Sequence, residues 1–207
     1  PLPCIQKNFI PVTFKNLQES AQITWRSSMI KLIILDVDGV LTDGKKYYDK
    51  DGNVIMKTFC DKDWTAIKRF KALGIEVLFL SGDPFNEKIA KNRNIDIIIN
   101  RRDGKHTDKG DYVDEICKQY KVKPEEIVFL GDDIFDMGIM KKVKYKYAPC
   151  DCPEEVQEIV DDILQESGGN NCVMHLFDTL RFNKLLPKYK LQDHIDKVYK
   201  LDVKEKF

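Results

Sequence analysis

The chain has 207 residues, enough for one domain with extras or two very small ones. Hydrophobic residues make up 43% and charged residues 33%, and 34 Lys and Arg balance 34 Asp and Glu. This is a globular composition, and its zero net charge exerts no pull toward nucleic acid or an anionic membrane. No run approaches the roughly 18 apolar residues that span a bilayer, and the N-terminus lacks the basic-then-apolar pattern of a secretory signal. Of the six cysteines only Cys150 and Cys152 are close together, without a second ligand pair for zinc. Free thiols in a reducing cytoplasm are the expectation.

Residues 1 to 28 mix Pro1, Pro3 and Pro11 with polar residues and show no sustained period. They read as a leader or a linker from a larger polypeptide. From Met29 onward the pattern alternates. Lys31 to Leu35 is a strand ending in Asp36-Val37-Asp38-Gly39. Lys45 to Tyr48 and Val54 to Phe59 flank Asp51-Gly52, a β-hairpin signal. Residues 63 to 73 carry Trp64, Ile67, Phe70 and Leu73 at helical spacing, with Gly74 as the stop.

Ile75 to Leu80 is a buried strand running into Ser81-Gly82-Asp83-Pro84, and Pro84 opens a helix to Asn92. Ile95 to Ile99 is a strand, Asp108 to Tyr120 a helix, and Ile127 to Leu130 a strand ending in Gly131-Asp132-Asp133. A helix over 134–142, a strand over 145–148 and a helix over 153–165 follow. The alternation describes an α/β, doubly wound, Rossmann-like parallel sheet with a β-hairpin insertion. Only residues 45 to 62 separate the first motif from the next helix, which leaves no room there for a large cap domain. The domain is expected over 29–180, and residues 181–207 form a basic helical tail, solvated or packed on a partner.

Ligands of such sheets bind at the carboxyl ends of the strands. Three strands end in chemically capable residues: Asp36 and Asp38, then Ser81, then Asp132 and Asp133; Lys109 opens a neighbouring helix. Four carboxylates in one crevice repel strongly, which implies a divalent cation. Oxygen-only ligands select a hard ion, Mg²⁺ above all. A metal with Lys and Ser donors suits a phosphoryl group. Asp43, Asp49 and Asp51 read instead as turn formers. His106 lies near Lys109 on a polar loop, His175 and His194 read as structural or solvent-facing, and Trp64 as either pocket wall or core.

Asp36-Val37-Asp38-Gly39-Val40-Leu41-Thr42-Asp43-Gly44, followed by Ser81, Lys109 and Gly131-Asp132-Asp133-Ile134-Phe135-Asp136, resembles the haloacid dehalogenase superfamily. The closer likeness is to its small capless branch, typified by the 3-deoxy-D-manno-octulosonate 8-phosphate phosphatases, over about residues 30 to 180. The resemblance implies that Asp36 is the nucleophile and Asp38 the general acid and base. It implies Mg²⁺ held by Asp36, the backbone carbonyl of Asp38, and Asp132, with Asp133 and Asp136 acting behind the metal through waters and Lys109. Ser81 and Lys109 would bind phosphoryl oxygens, and Gly39, Thr42, Lys62, Trp64 and Gly82 would contribute to substrate binding.

The same branch includes the phosphatase-like domain fused to some nonulosonate cytidylyltransferases, so a non-catalytic oligomerisation module is the alternative to a cytoplasmic phosphosugar phosphatase. The chain departs from the branch in recognition residues. Asp83 stands where an Arg is usual, Lys62-Asp63-Trp64 replaces Arg-Asp-Gly, and Gly168-Gly169-Asn170-Asn171 replaces Gly-Gly-Arg-Gly. Octulosonate 8-phosphate is therefore expected to be a poor substrate, with a neutral or differently charged phosphosugar preferred. The resemblance also implies a homotetramer held by the hairpin, in which Trp64 and residues near Gly168 help wall off the pocket.

Overall fold

A computed structural model describes residues 29–204; the leader read over residues 1–28 lies outside the described residues. In chain order the elements are β1 (Leu32–Leu35), β2 (Tyr47–Tyr48), β3 (Val54–Met56), α1 (Asp61–Ala72), β4 (Glu76–Ser81), α2 (Asn86–Asn92), β5 (Asp96–Ile99), β6 (Arg101–Arg102) and β7 (Lys105–His106). They continue with α3 (Val113–Tyr120), β8 (Ile127–Leu130), α4 (Met137–Met140), β9 (Tyr145–Ala148), α5 (Glu154–Gln157), β10 (Asp162–Ile163), α6 (Cys172–Phe182) and α7 (Leu191–Asp202). One six-stranded sheet runs β5-β4-β1-β8-β9-β10, and every pair in it is parallel. β1 sits at the centre, paired with β4 on one side and β8 on the other, so the strand order reverses there. Such a reversal opens a crevice at the carboxyl ends of the strands.

The period of two along β1 divides the core. Ile33 and Leu35 face the side covered by α1 and α6, where Ile67, Phe70, Leu176 and Phe177 are fully buried or nearly so. Leu32 and Ile34 face α3 and α4, with Ile116, Phe129, Ile139 and Met140. The tail is part of this architecture. α7 lies against α1 through a Lys68–Asp202 ion pair, and His194 stacks between the rings of Phe177 and Tyr189.

Several elements differ from the sequence reading. The helix expected over 153–165 is only α5, because the chain then pairs with β9: Asp161 N donates to Lys146 O and Leu164 N to Ala148 O, each at 2.8 Å. The apolar spacing of Val156, Ile159, Ile163 and Leu164 fits a helix, and edge pairing overrides it. The helices expected at 108 and 134 begin as 3₁₀ turns, Lys109–Tyr112 and Ile134–Asp136. The β6–β7 hairpin was not anticipated. No large cap is present among the described residues, where only the β2–β3 hairpin separates β1 from α1. No disulfide links the described cysteines, and no helix among the described residues is long and apolar enough to cross a membrane.

Asp63 joins two of these helices. Its Oδ1 accepts from Val173 N at 2.9 Å and Met174 N at 3.1 Å, satisfying the first turn of α6 from the side of α1. Burial, outweighing those backbone donors, lifts its carboxyl from 3.8 to about 6. The folded chain therefore holds a proton that the unfolded chain has released, and this group subtracts stability as pH rises from about 4 to about 6. Asp63→Asn removes the titration. Its urea midpoint, relative to the native protein, should improve across that interval and level off above pH 7; a pH-independent difference would show that Asp63 does not titrate in this way.

Candidate active site

The residue after β1 is Asp36 and the second residue after β8 is Asp132, so adjacent parallel strands deliver the two carboxylates to one place. Between them the chain turns sharply: Val37 O accepts from Leu41 N at 2.9 Å and Thr42 N at 3.0 Å. Gly39 lies in this turn at φ +93°, and a Cβ there would sit 2.0 Å from Asp132 Oδ2. Gly39 thus makes room for Asp132. Thr42 is also internal. It is buried, and its Oγ1 accepts from Gly39 N and Gly44 N at 3.4 and 3.2 Å, holding the turn.

Carboxylate oxygens of Asp36, Asp132 and Asp136 lie within 4.8 Å of one another. Lys109, 3% exposed, enters from the 3₁₀ turn after Asp108 and donates to Asp136 Oδ1 at 2.6 Å while pairing with Asp36 Oδ2 at 2.9 Å. Asp136 Oδ2 accepts from Asp132 N at 2.9 Å and Asp133 N at 3.2 Å, so Asp136 is fully engaged and positions the others. Asp133 stands exposed at the cleft rim and receives Ile134 N.

One ammonium among three carboxylates leaves an excess of negative charge. Burial lifts Asp36 to about 7, with Lys109 opposing and Asp136 reinforcing the shift. Burial, then Asp36 and Asp136, lift Asp132 to about 8. Burial works against the charge of Lys109, yet Asp36 and Asp136 together hold its pKa well above the ordinary lysine value. Asp132 Oδ1 is buried and has no hydrogen-bond partner among the described residues. An orphaned carboxylate oxygen beside a second carboxylate is the donor chemistry of a hard divalent cation, and these residues fit one.

A second network surrounds Asp38. The buried ammonium of Lys57 donates to both Asp38 oxygens at 2.6 and 2.9 Å, to Asp83 Oδ2 at 2.8 Å and to Asn86 Oδ1 at 2.9 Å. Asn86 Nδ2 reaches Asp38 Oδ2 at 3.0 Å and Ser81 Oγ at 2.9 Å, and Asp83 N also donates to Ser81 Oγ at 3.2 Å. Ser81 Oγ accepts twice, which leaves its own hydrogen to donate into the cleft. Lys46 pairs with Asp83 at 2.7 Å. Burial raises the Asp83 carboxyl, but Lys46 and Lys57 overcome this and hold it far below the usual range. Asp83 is thus neutralised rather than left as a repulsive charge.

The structure gathers Asp36, Asp38, Ser81, Gly82, Lys109 and Asp132 around one cleft of about 640 Å³. It does not bring Lys62 or Trp64 there. Lys62 is exposed on α1, and Trp64 is 5% exposed in the core between Phe59 and Phe79. The Gly168 segment also lies behind the site: a Cβ at Gly168 would meet Gly39 O at 1.8 Å, and Gly169 N donates to Val40 O at 2.8 Å. These residues brace the turn that follows β1 instead of walling off the pocket. Lys46, Lys57, Asn86, Arg101 and Phe135 were not anticipated. The signal for Lys57 was available, since it is a lone cation in the apolar run Val54 to Phe59.

The family profile of haloacid dehalogenase-like hydrolases matches residues 91–176. A 3-deoxy-D-manno-octulosonate 8-phosphate phosphatase of Haemophilus influenzae is 32% identical over 151 residues, 73% of this chain and 82% of its own. The chain belongs to the haloacid dehalogenase superfamily, in its octulosonate-phosphatase-like branch. It is a phosphomonoesterase.

Solved structures similar to this enzyme include two octulosonate 8-phosphate phosphatases. The cobalt-bound octulosonate 8-phosphate phosphatase of Haemophilus influenzae superposes with a TM-score of 0.66 at 31% identity, covering 73% of this chain and 88% of that one. The enzyme of Moraxella catarrhalis, in complex with magnesium, phosphate and the octulosonate KDO, gives 0.66 at 26% identity, covering 73% and 86%.

Because Trp64 is core, Trp64→Ala should cost about 3–5 kcal/mol of stability. Its KM for p-nitrophenyl phosphate should stay within about twofold of native at a temperature where the variant is folded. A raised KM with unchanged stability would return Trp64 to the pocket.

Proposed function

We propose that this enzyme hydrolyses a phosphorylated sugar or sugar acid with Mg²⁺, through an aspartyl-phosphate at Asp36. The observation that carries the reading is the pairing of Asp36, bound to Lys109, with the orphaned Asp132 oxygen in one cleft. The named activity of the Haemophilus relative and the ligands of the Moraxella structure support it. Asp36, the Asp38 carbonyl and Asp132 would hold the ion, whose charge would offset that of the phosphoryl oxygens.

Asp36 Oδ attacks phosphorus and the bond to the sugar oxygen breaks. Asp38 delivers a proton to that oxygen as it leaves. Lys109 and Ser81 orient the phosphoryl group. Asp38, now a base, takes a proton from water as that water attacks phosphorus, and the bond from phosphorus to Asp36 breaks to release phosphate. Lys57 and Asn86 orient the Asp38 side chain. With this machinery complete, the enzymatic reading is favoured over an assembly module.

A homotetramer is part of the same proposal. Tyr48 and Ile55 on the β2–β3 hairpin are 58% and 60% exposed, an apolar face that a two-stranded hairpin does not bury by itself. The hairpin's Val54 and the adjoining Lys46 border the cleft, so a neighbouring subunit there would help close it.

Asp36→Asn should lower p-nitrophenyl phosphate turnover by at least about 1,000-fold, and excess chelator should abolish native activity until Mg²⁺ is restored. Native rates in the variant would refute the nucleophile, and full activity in chelator would refute the metal. Light scattering should give the mass of four chains; a fully active single chain would refute the assembly.

A further inference from the structure

The β6–β7 hairpin forms one wall of the cleft, and its geometry is well determined by its own sequence. Asp103 and Gly104 occupy its tip with φ +51° and +72°, the two positive values of a type I′ turn. Asn100 closes its base: it is buried, its N–H donates to Ser81 O at 3.0 Å, and its Nδ2 donates to Thr107 O at 2.7 Å. Arg102 is ion-paired to Glu87 on α2. The hairpin is therefore anchored to the strand that presents Ser81 and to the helix that presents Asn86.

Arg101 and His106 are directly opposite in this ladder, so their side chains leave from the same face. Both converge on Phe135, which follows the Asp132-Asp133 motif. The Arg101 guanidinium lies 5.7 Å from the Phe135 ring centroid, and His106 meets the ring edge-on at 5.2 Å. All three border the cleft. The other cations near the chemistry are engaged: Lys57 and Lys46 by Asp38 and Asp83, Lys109 by Asp36 and Asp136. Arg101 is the exception. No carboxylate of the described residues pairs with it, and Gly82 leaves space beside its guanidinium.

We propose that Arg101 is the specificity-determining residue of this enzyme, binding a carboxylate on the leaving group of the phosphosugar. The proposal rests on the phosphatase reading above and extends it. A guanidinium stacked near an aromatic ring keeps its planar fork free for a bidentate carboxylate, and the neutralised Asp83 does not compete for it. The phosphoryl group is held at Lys109 and Ser81, and Arg101 lies across the same cleft. It therefore replaces, from a different element, the arginine that position 83 lacks, so the preference for a neutral or differently charged phosphosugar expected from Asp83 does not follow.

D-Gluconate 6-phosphate and D-glucitol 6-phosphate test this, because they differ only in a carboxylate against a hydroxymethyl group. Each is titrated calorimetrically, with Mg²⁺, into Asp36→Asn protein, which does not turn them over. Gluconate 6-phosphate should bind about 10- to 100-fold more tightly than glucitol 6-phosphate. Adding Arg101→Ala should erase that preference while changing glucitol 6-phosphate binding less than about twofold, and Arg101→Lys should keep part of it. No preference with Arg101 intact, a preference surviving in Arg101→Ala, or an equal loss for both ligands overturns the proposal. Hydrolysis of p-nitrophenyl phosphate by the native protein is measured in parallel. Its absence would count against the phosphatase reading itself, while the two binding constants still decide whether Arg101 reads the carboxylate.

Discussion

Like charges in a low-dielectric crevice repel strongly, and here three carboxylates, Asp36, Asp132 and Asp136, meet around a single ammonium, Lys109. Much of the surrounding packing sustains that arrangement. The sheet reverses at β1 so that β1 and β8 are neighbours. Gly39 has no side chain where Asp132 must pass, and the Gly168–Gly169 segment braces the turn from behind. Asp136 uses both oxygens to fix Lys109 and the Asp132-Asp133 backbone. With three carboxylates and one ammonium the cluster is formally two positive charges short, the condition that draws in a divalent cation.

A second electrostatic unit governs the rim. Lys57 is a fully buried ammonium that would be costly alone, and it is stabilised by Asp38, Asp83 and Asn86 together. This network fixes the orientation of Asp38 and cancels Asp83. The chemistry at the cleft floor is thereby separated from recognition at its wall, where the β6–β7 hairpin and Phe135 stand. Such a division lets a shared catalytic core serve different leaving groups through changes in one short loop.

The catalytic half of this arrangement was legible in the sequence because its signals are local. Apolar runs ending in Asp-x-Asp-Gly, in Ser-Gly and in Gly-Asp-Asp mark both the strands and the residues at their ends. Lys62 and Trp64 were misplaced because helix α1 turns one toward solvent and the other into the core, and spacing alone does not say which face meets the cleft. Lys57 and Asn86 depend on contacts between different elements, up to 48 residues apart in sequence, which no periodicity reveals. The β6–β7 hairpin was readable in principle. Asp103-Gly104 is the same turn dipeptide that located the β2–β3 hairpin, but its strands are two residues each and polar. The helix over 153–165 failed where pairing with β9 outweighed a helical pattern.

The claim on which the account stands is that this buried cluster is a divalent-cation site completed by Asp132. Calorimetric titration of Mg²⁺ into the phosphate-free protein tests it directly. One ion per chain should bind, and Asp132→Asn, with an unchanged circular-dichroism spectrum, should lose that binding. Equal affinity in Asp132→Asn, or no Mg²⁺ binding by the native protein, would contradict it.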